Sequence, residues 1–424
     1  MIYSIGELDR REAIHREVDR ARDEIVDFTV ELVRVPSVNP PGDAYREAAE
    51  ALGRKLGGFG FEVEYLVAEG HPEHTESHPR VNVVGLRRGK TPRPLVHLNG
   101  HLDVVPAGDG WTMDPFGGIV RDGRIYGRGT TDMKAGIAAA VYAAECVKRA
   151  GVALVGSVEV SGTIDEESGG FAGAAFLCET GRLTRERCDH VIIPEPLGVD
   201  RICVGHRGAY WFEVTAHGRV AHGSMPFLGV SAIERMGRLL ESVRTDLLPA
   251  LARRTTRVPV VPEGARKATL NVNSILGGQA GQTPQTPCVA DRCSAVFDRR
   301  FLLEEGFEAT KKEIEALLEK LGDGFELQDM MVVHPVQTPE DSPLIAALER
   351  TIREIVGREA TLIASPGTYD HKHVTRIGGI EHCVAYGPGI LELAHQVDEY
   401  CEVEDLVRST EVLALTLFDL LGER

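Results

Sequence analysis

Residues 95–106 read LVHLNGHLDVVP, and the fold is decided by how this stretch is read. An apolar run that ends in a polar turn and a proline is the pattern of a buried strand entering a loop. Residues 132–150, DMKAGIAAAVYAAECVKRA, follow with small and helix-forming residues that predict a helix. VALVGSVEVSG at 152–162 and HVIIPEP at 190–196 are again compact apolar strands. Strand and helix therefore alternate as in an α/β domain, with a mostly parallel central sheet flanked by helices on both faces. Upstream, Ile14, Val18, Ala21, Ile25, Phe28, Leu32 and Val33 predict one long helix, stopped by the prolines and glycine of residues 35–43. A second helix is expected from about Tyr45 to Leu56, then strands in FEVEYLVA and NVVGL.

From about Cys203 the pattern changes. Strand-like runs at 210–218, 268–278, 292–301 and 325–333 are separated by amphipathic segments at 231–251 and 304–322. Strand, helix, two strands, helix, strand is the ferredoxin-like order. This predicts an inserted α+β domain over 203–334, interrupting a first domain formed by 1–202 and 335–424. A chain of 424 residues exceeds the size at which one core keeps growing, which agrees with two domains.

Composition excludes several classes. A formal net charge of -17, from 47 basic and 64 acidic residues, argues against a nucleic-acid partner. The eight cysteines form no C-x-x-C pair and no dense framework, so a reducing cytoplasm is the expected compartment. Residues 6–28 are charged and helical in pattern, without a signal peptide's apolar core, and no apolar run is long enough to span a membrane.

The residues that could carry chemistry fall in short clusters: His101 and Asp103 in NGHLDVVP, Asp132 in GRGTTDMK, Glu166 and Glu167 in TIDEESGG, Glu195 in IPEP, and His395 in LELAHQVDE. Most follow an apolar strand or sit on an expected loop, where sites of open α/β sheets assemble. Imidazole with carboxylate suits zinc, cobalt or manganese, and one carboxylate can bridge two ions. Taken singly, each has an ordinary structural explanation. His101 and His395 fit hydrogen-bonded or loop histidines, Asp132 a helix N-cap, Asp165–Glu167 a solvated turn, and Glu195 a rigid turn between prolines.

In their order, H-x-D, G-R-G-x-x-D-M-K, D-E-E-x-G, E-P and A-H-x-x-D-E resemble the dizinc amidohydrolase and peptidase family of acetylornithine deacetylase, succinyl-diaminopimelate desuccinylase, aminoacylase and carboxypeptidase G. The resemblance spans nearly the whole chain; after D-M-K, Ala135 stands where the family often has glycine. It implies that Asp132 bridges two divalent ions, zinc first and cobalt or manganese as substitutes. His101 and Glu195 would hold one ion, and Glu167 and His395 the other. Glu166 is then free to move protons, Asp103 to hold the second ring nitrogen of His101, and the Asp132–Met133 peptide is expected to be cis.

The resemblance reaches the inserted domain, which it implies is a lid and dimerisation domain. His222 matches a substrate-binding histidine that looks like an oxyanion stabiliser, supplied by the partner subunit in dimeric members. Arg300 matches a carboxylate-binding arginine, with Arg299 beside it leaving the register open. SPGTYDHKH, 365–373, takes the place of a substrate loop in which Gly367, Thr368 and Asp370 fit, while His371, Lys372 and His373 depart from the family. That trio reads as a third metal site or, in preference, as a basic patch for a substrate carboxylate. A second departure lies in GGQAGQTPQTPCVADRC, with Pro287 and Ala290 where members show N-x-x-P. The expected activity is deacylation of a small N-acyl amino acid or related amine by a cytoplasmic homodimer. A carboxypeptidase or dipeptidase is the alternative. A non-catalytic relative would need a lost ligand or base, and none of the six residues is missing.

Overall fold

The apolar stripe near the N-terminus folds as two helices, Ile5–Arg20 and Arg22–Val33, where one was expected. Ala21, with φ -82° and ψ 0°, leaves ideal helical geometry for one residue between them. The computed structural model describes residues 5–279 and 287–423. Two units separate: Met1–Val204 with Thr338–Leu362 and Tyr369–Arg424, and Gly205–Gln337 with Ile363–Thr368.

In the first unit the expected strands form β1 (Glu62–Val67), β2 (Val81–Arg87), β3 (Leu95–His101), β4 (Ser157–Thr163) and β5 (His190–Pro196). Their spatial order is β1-β2-β4-β3-β5, followed by Cys383–Gly387. β1 and β2 join antiparallel at one side, whereas β4, β3, β5 and Cys383–Gly387 run parallel. Every residue of β3 and of β4 is buried, as a central strand covered on both faces requires. The register pairs His101 with Thr163 and Leu98 with Ile192, so these strands end on the same side. His101 closes β3, Glu166 and Glu167 follow β4, Glu195 lies near the end of β5, and His395 comes after Cys383–Gly387.

Asp132 arrives by another route. It precedes the helix Ala135–Arg149, whose residues from Ala135 to Val147 are all buried, and which packs on the helix Val403–Leu421. Its alanines let backbones approach closely, and Gly136 carries this to the limit. A Cβ added there would lie 1.9 Å from the Pro194 carbonyl oxygen, next to Glu195. Gly136→Ala must therefore push the helix away from β5 and spread Asp132 from Glu195. The expected result is a loss of about 1–3 kcal/mol in denaturant unfolding together with weakened metal binding. Unchanged values of both would show that the contact relaxes freely.

The second unit is a four-stranded antiparallel sheet of β6 (Gly208–His217), β7 (Thr269–Gly278), β8 (Arg292–Phe301) and β9 (Phe325–Val333), in the order β7-β8-β6-β9. Helices Ala232–Ser242 and Phe307–Leu321 bury Met236, Leu239, Ile314 and Leu318 in one core with Phe212, Ala295 and Phe297 of the sheet. The strand order and the helix placement between strands are ferredoxin-like. Ser231 caps the first helix by accepting from the Glu234 backbone N–H, as a Ser-x-x-Glu start predicts. All eight cysteines are free. Among the described residues no helix is long and apolar enough to cross a membrane.

Candidate metal centre

Two groups of potential ligands converge in the first unit, His101, Asp132 and Glu195 in one and Asp132, Glu167 and His395 in the other; within each, the ligand atoms lie within 4.8 Å of one another. Asp132 belongs to both. Its Oδ1 lies 3.0 Å from His101 Nε2, and its Oδ2 lies 3.5 Å from His395 Nε2, so its two oxygens face different imidazoles. His395 Nε2 is also 3.1 Å from Glu167 Oε1. Two ligands bonded at about 2.0–2.1 Å to one tetrahedral ion sit about 3.3 Å apart, close to these separations. The Asp132–Met133 peptide is cis, as the resemblance implied.

The electrostatics of the cluster also fit a cation. Burial, then the charge of Asp132, drives the Glu195 carboxyl well above its ordinary range. Burial lifts Glu167 to about 7 against the pull of its hydrogen bond to His395. Burial opposes charge on Asp132 too, but hydrogen bonds to His101 and His395 outweigh it and hold this carboxyl well below its usual value. His395, bonded to Asp132 and Glu167, rises to about 10. Three carboxyl groups thus crowd together where burial opposes their charge, which is the place a divalent ion would neutralise.

Asp103 serves the site differently from expectation. His101 Nδ1 makes its hydrogen bond, 3.0 Å, to the Asp103 backbone carbonyl, which fixes the ring tautomer with Nε2 facing Asp132. The Asp103 carboxylate stands 3.6 Å from that nitrogen and is occupied elsewhere. It accepts the backbone N–H groups of Glu166 at 3.2 Å and Glu167 at 3.1 Å and the Asn39 amide at 2.9 Å. It therefore ties down the turn that carries both glutamates. Glu166 belongs to neither ligand group, and its carboxylate lies 3.6 Å from Lys372 Nζ.

Two residues inside the quoted motifs escaped the sequence reading. Arg128, of GRGTTDMK, and Glu399, of LELAHQVDE, form an ion pair at 2.5 Å with side chains 2% and 0% exposed. Glu399 Oε1 accepts from the backbone N–H of Thr131 at 2.9 Å and of Asp132 at 3.2 Å. Arg128 donates to the carbonyls of Gln396 at 3.2 Å and His395 at 3.3 Å. The pair clamps the Asp132 turn to the loop of His395, where His395 and Asp398 have φ of 64° and 53°, in the left-handed region. Such conformations persist only where the surroundings impose them. A charged residue of each sign within a metal motif was the available signal.

His222, Arg300, Gly367 and Thr368 lie in the second unit, and Asp370 in the first. His222 is exposed, and its Nδ1 accepts the Ser224 backbone N–H at 3.2 Å, which leaves Nε2 as the protonated nitrogen of the neutral ring. Strand alternation separates the two arginines. Arg299 is fully buried on the helix-covered face and paired with Glu305 at 2.5 Å, while Arg300 is half-buried on the other face and bonded twice to Asp298, at 2.7 and 2.9 Å. Gly367 N–H donates to Ser365 Oγ at 3.1 Å. Pro287 and Ala290 are described, whereas residues 280–286 of the quoted departure lie outside the described residues.

The HKH trio is neither one patch nor one metal group. It starts the short helix His371–Arg376, where successive side chains diverge by about 100°, and all three are buried. His371 Nδ1 meets Tyr369 Oη at 3.2 Å, Lys372 faces Glu166, and His373 Nε2 bonds the Gly169 carbonyl at 2.7 Å.

Comparison with known proteins gives the family and the fold. The model described as Peptidase family M20/M25/M40 matches residues 97–419. The chain is 32% identical over 401 residues to a succinyl-diaminopimelate desuccinylase of Bordetella petrii, covering 93% of this chain and 97% of the relative. Its fold is similar to that of an M20 family metallo-carboxypeptidase from Sulfolobus solfataricus, with a TM-score of 0.75 at 19% identity, covering 94% of this chain and 99% of the other. It is also similar to a dinuclear metal binding peptidase from the M20 family of Bacillus subtilis, with a TM-score of 0.69 at 15% identity, over 95% of this chain and 99% of that one. A family match over most of the chain and a relative 32% identical along nearly all of it lead to one conclusion: this protein is a hydrolase belonging to peptidase family M20/M25/M40.

Proposed function

We propose that this chain hydrolyses the amide bond of a small N-acyl amino acid or related N-acyl amine, as a deacylase with two divalent metal ions, zinc foremost. The observation that carries this reading is the pair of ligand groups sharing Asp132, with the unshared carboxylate of Glu166 held beside Glu167. His101 and Glu195 would hold one ion, Glu167 and His395 the other, and Asp132 both. When bound, such ions polarise an amide carbonyl and acidify water.

The protein's own groups supply the proton transfers. Glu166 takes a proton from the attacking water as its oxygen bonds to the carbonyl carbon. It then delivers that proton to the amine nitrogen as the C–N bond breaks; the second proton of the water, left on the new carboxyl group, passes to the amine, so that a carboxylate and an ammonium leave. His222, with Nδ1 taken by Ser224 and the proton on Nε2, is suited to donate to the developing oxyanion. Arg300, Gly367, Thr368 and Asp370 are proposed substrate contacts; for Arg300 this requires exchange of its Asp298 partner. The desuccinylase relative, at 32% identity, favours deacylation over peptidase activity. A panel of N-succinyl and N-acetyl amino acids run against dipeptides, with zinc and with manganese, tests this; turnover confined to the dipeptides overturns it.

A homodimer formed through the second unit, read as lid and dimerisation domain, is part of the proposal. β7 is an edge strand, and Val272, Ile275 and Leu276 on it are 38%, 53% and 78% exposed. An apolar edge of this kind invites pairing with a second chain. His222→Ala should lower kcat by about 10²-fold with metal content unchanged. Mixing it with a Glu166→Gln variant restores activity if the site is shared between subunits. Additive inactivity of the mixture would place His222 and Glu166 of one subunit together. A cytoplasmic location agrees with eight free cysteines.

A further inference from the structure

The loop that carries Glu166 and Glu167 rests against the start of the His371–Arg376 helix at several points. His373 Nε2 bonds the Gly169 carbonyl at 2.7 Å, and since a carbonyl only accepts, that nitrogen carries the proton. The Phe171 ring packs against the same imidazole at 5.3 Å between centroids. Gly170, at φ 76°, comes so close that an added Cβ would lie 2.5 Å from Asp370 Oδ1 and 3.3 Å from His373 Nε2. Lys372 Nζ reaches to 3.6 Å from Glu166 Oε1, with the two side chains only 7% and 13% exposed.

Behind these contacts the helix start is anchored in the sheet. Asn99 donates to Asp370 Oδ2 at 3.1 Å, Ser161 Oγ donates to Asn99 Oδ1 at 2.7 Å, and His97 Nε2 meets Ser161 Oγ at 2.7 Å. A buried polar chain thus runs from β3 and β4 through Asp370 to the loop. Polar groups buried and hydrogen-bonded to one another in this way restrict the geometry of the helix start.

We propose that His373 and Lys372 are positioning residues, a brace that holds the Glu166–Gly170 loop so that Glu166 meets the reacting amide. They set turnover and do not bind substrate. The inference rests on Glu166 acting as the proton carrier. It also gives the family departure at residues 371–373 a task in this chain.

His373→Phe keeps a ring against Phe171 and removes the donor, whereas His373→Gln keeps a nitrogen donor near the same place. In the metal-loaded enzyme His373→Phe should lower kcat about 10-fold or more, with KM within about twofold, and speed amide hydrogen exchange over residues 165–171. His373→Gln should recover most of both. Lys372→Met should lower kcat at nearly constant KM, and Lys372→Arg should restore it. A rise in KM at unchanged kcat would overturn the brace in favour of substrate binding, and unchanged loop exchange in His373→Phe would overturn it as well. Should His373→Phe fail to fold, the Lys372 pair decides by the same kcat and KM criterion. Full activity in Glu166→Gln would remove the proton carrier but leave the loop-exchange result standing, so the two failures are distinguishable.

Discussion

Glu166→Gln should retain both metal ions and lower kcat by about 10²–10⁴-fold, the range that a positioned acid–base group contributes. Glutamine keeps the size of the side chain, and the backbone N–H of residue 166 keeps its bond to Asp103. The turn therefore stays in place, along with Glu167 and its neighbour His395. What disappears is a carboxylate able to accept a proton and return it. KM should change little. Steady-state kinetics with metal analysis on the same preparation checks this, and full activity in the variant would remove Glu166 from the reaction.

Glu399→Gln should be nearly as damaging by a different route. It leaves Arg128, 2% exposed, without its counter-charge, and breaking a buried pair in this way costs about 3–5 kcal/mol. It also weakens the acceptor that holds the backbone of Thr131 and Asp132, while Arg128 loses its fixed position against the carbonyls of His395 and Gln396. Metal affinity should fall about 10–100-fold, more for the ion assigned to Glu167 and His395 than for the one assigned to His101 and Glu195. Calorimetric titration of metal into the apo variant, with denaturant unfolding of the same sample, reads both effects. Wild-type stability with equal, unweakened affinities would show that the clamp has no such role.

These two residues mark the boundary of what the sequence reveals. The parallel core was legible because β3, β4 and β5 are short apolar runs separated by a helical pattern, and motif order singled out the five candidate ligands that the fold brings together. The environment of Asp103 was not. Its spacing from His101 suggested a bond to the ring, but the chain brings Glu166 and Glu167 to its carboxylate from more than sixty residues away. Arg128 and Glu399 are separated by 271 positions, and only the fold shows that each is buried against the other. His371, Lys372 and His373 read as one basic patch because adjacency in sequence does not say where side chains point on a helix. The register of Arg299 and Arg300 was, by contrast, available in the sequence. Phe297 and Phe301 share the period-two face of Arg299, which places Arg299 inward and Arg300 outward.

The proposed function stands on a paired-metal site built on Asp132. Metal analysis of purified, metal-replete protein tests it most directly. Two transition-metal ions per chain are expected in the wild type, and loss of both in Asp132→Ala. Clearly less than one ion per chain in the wild type, or unchanged content in Asp132→Ala, would contradict it.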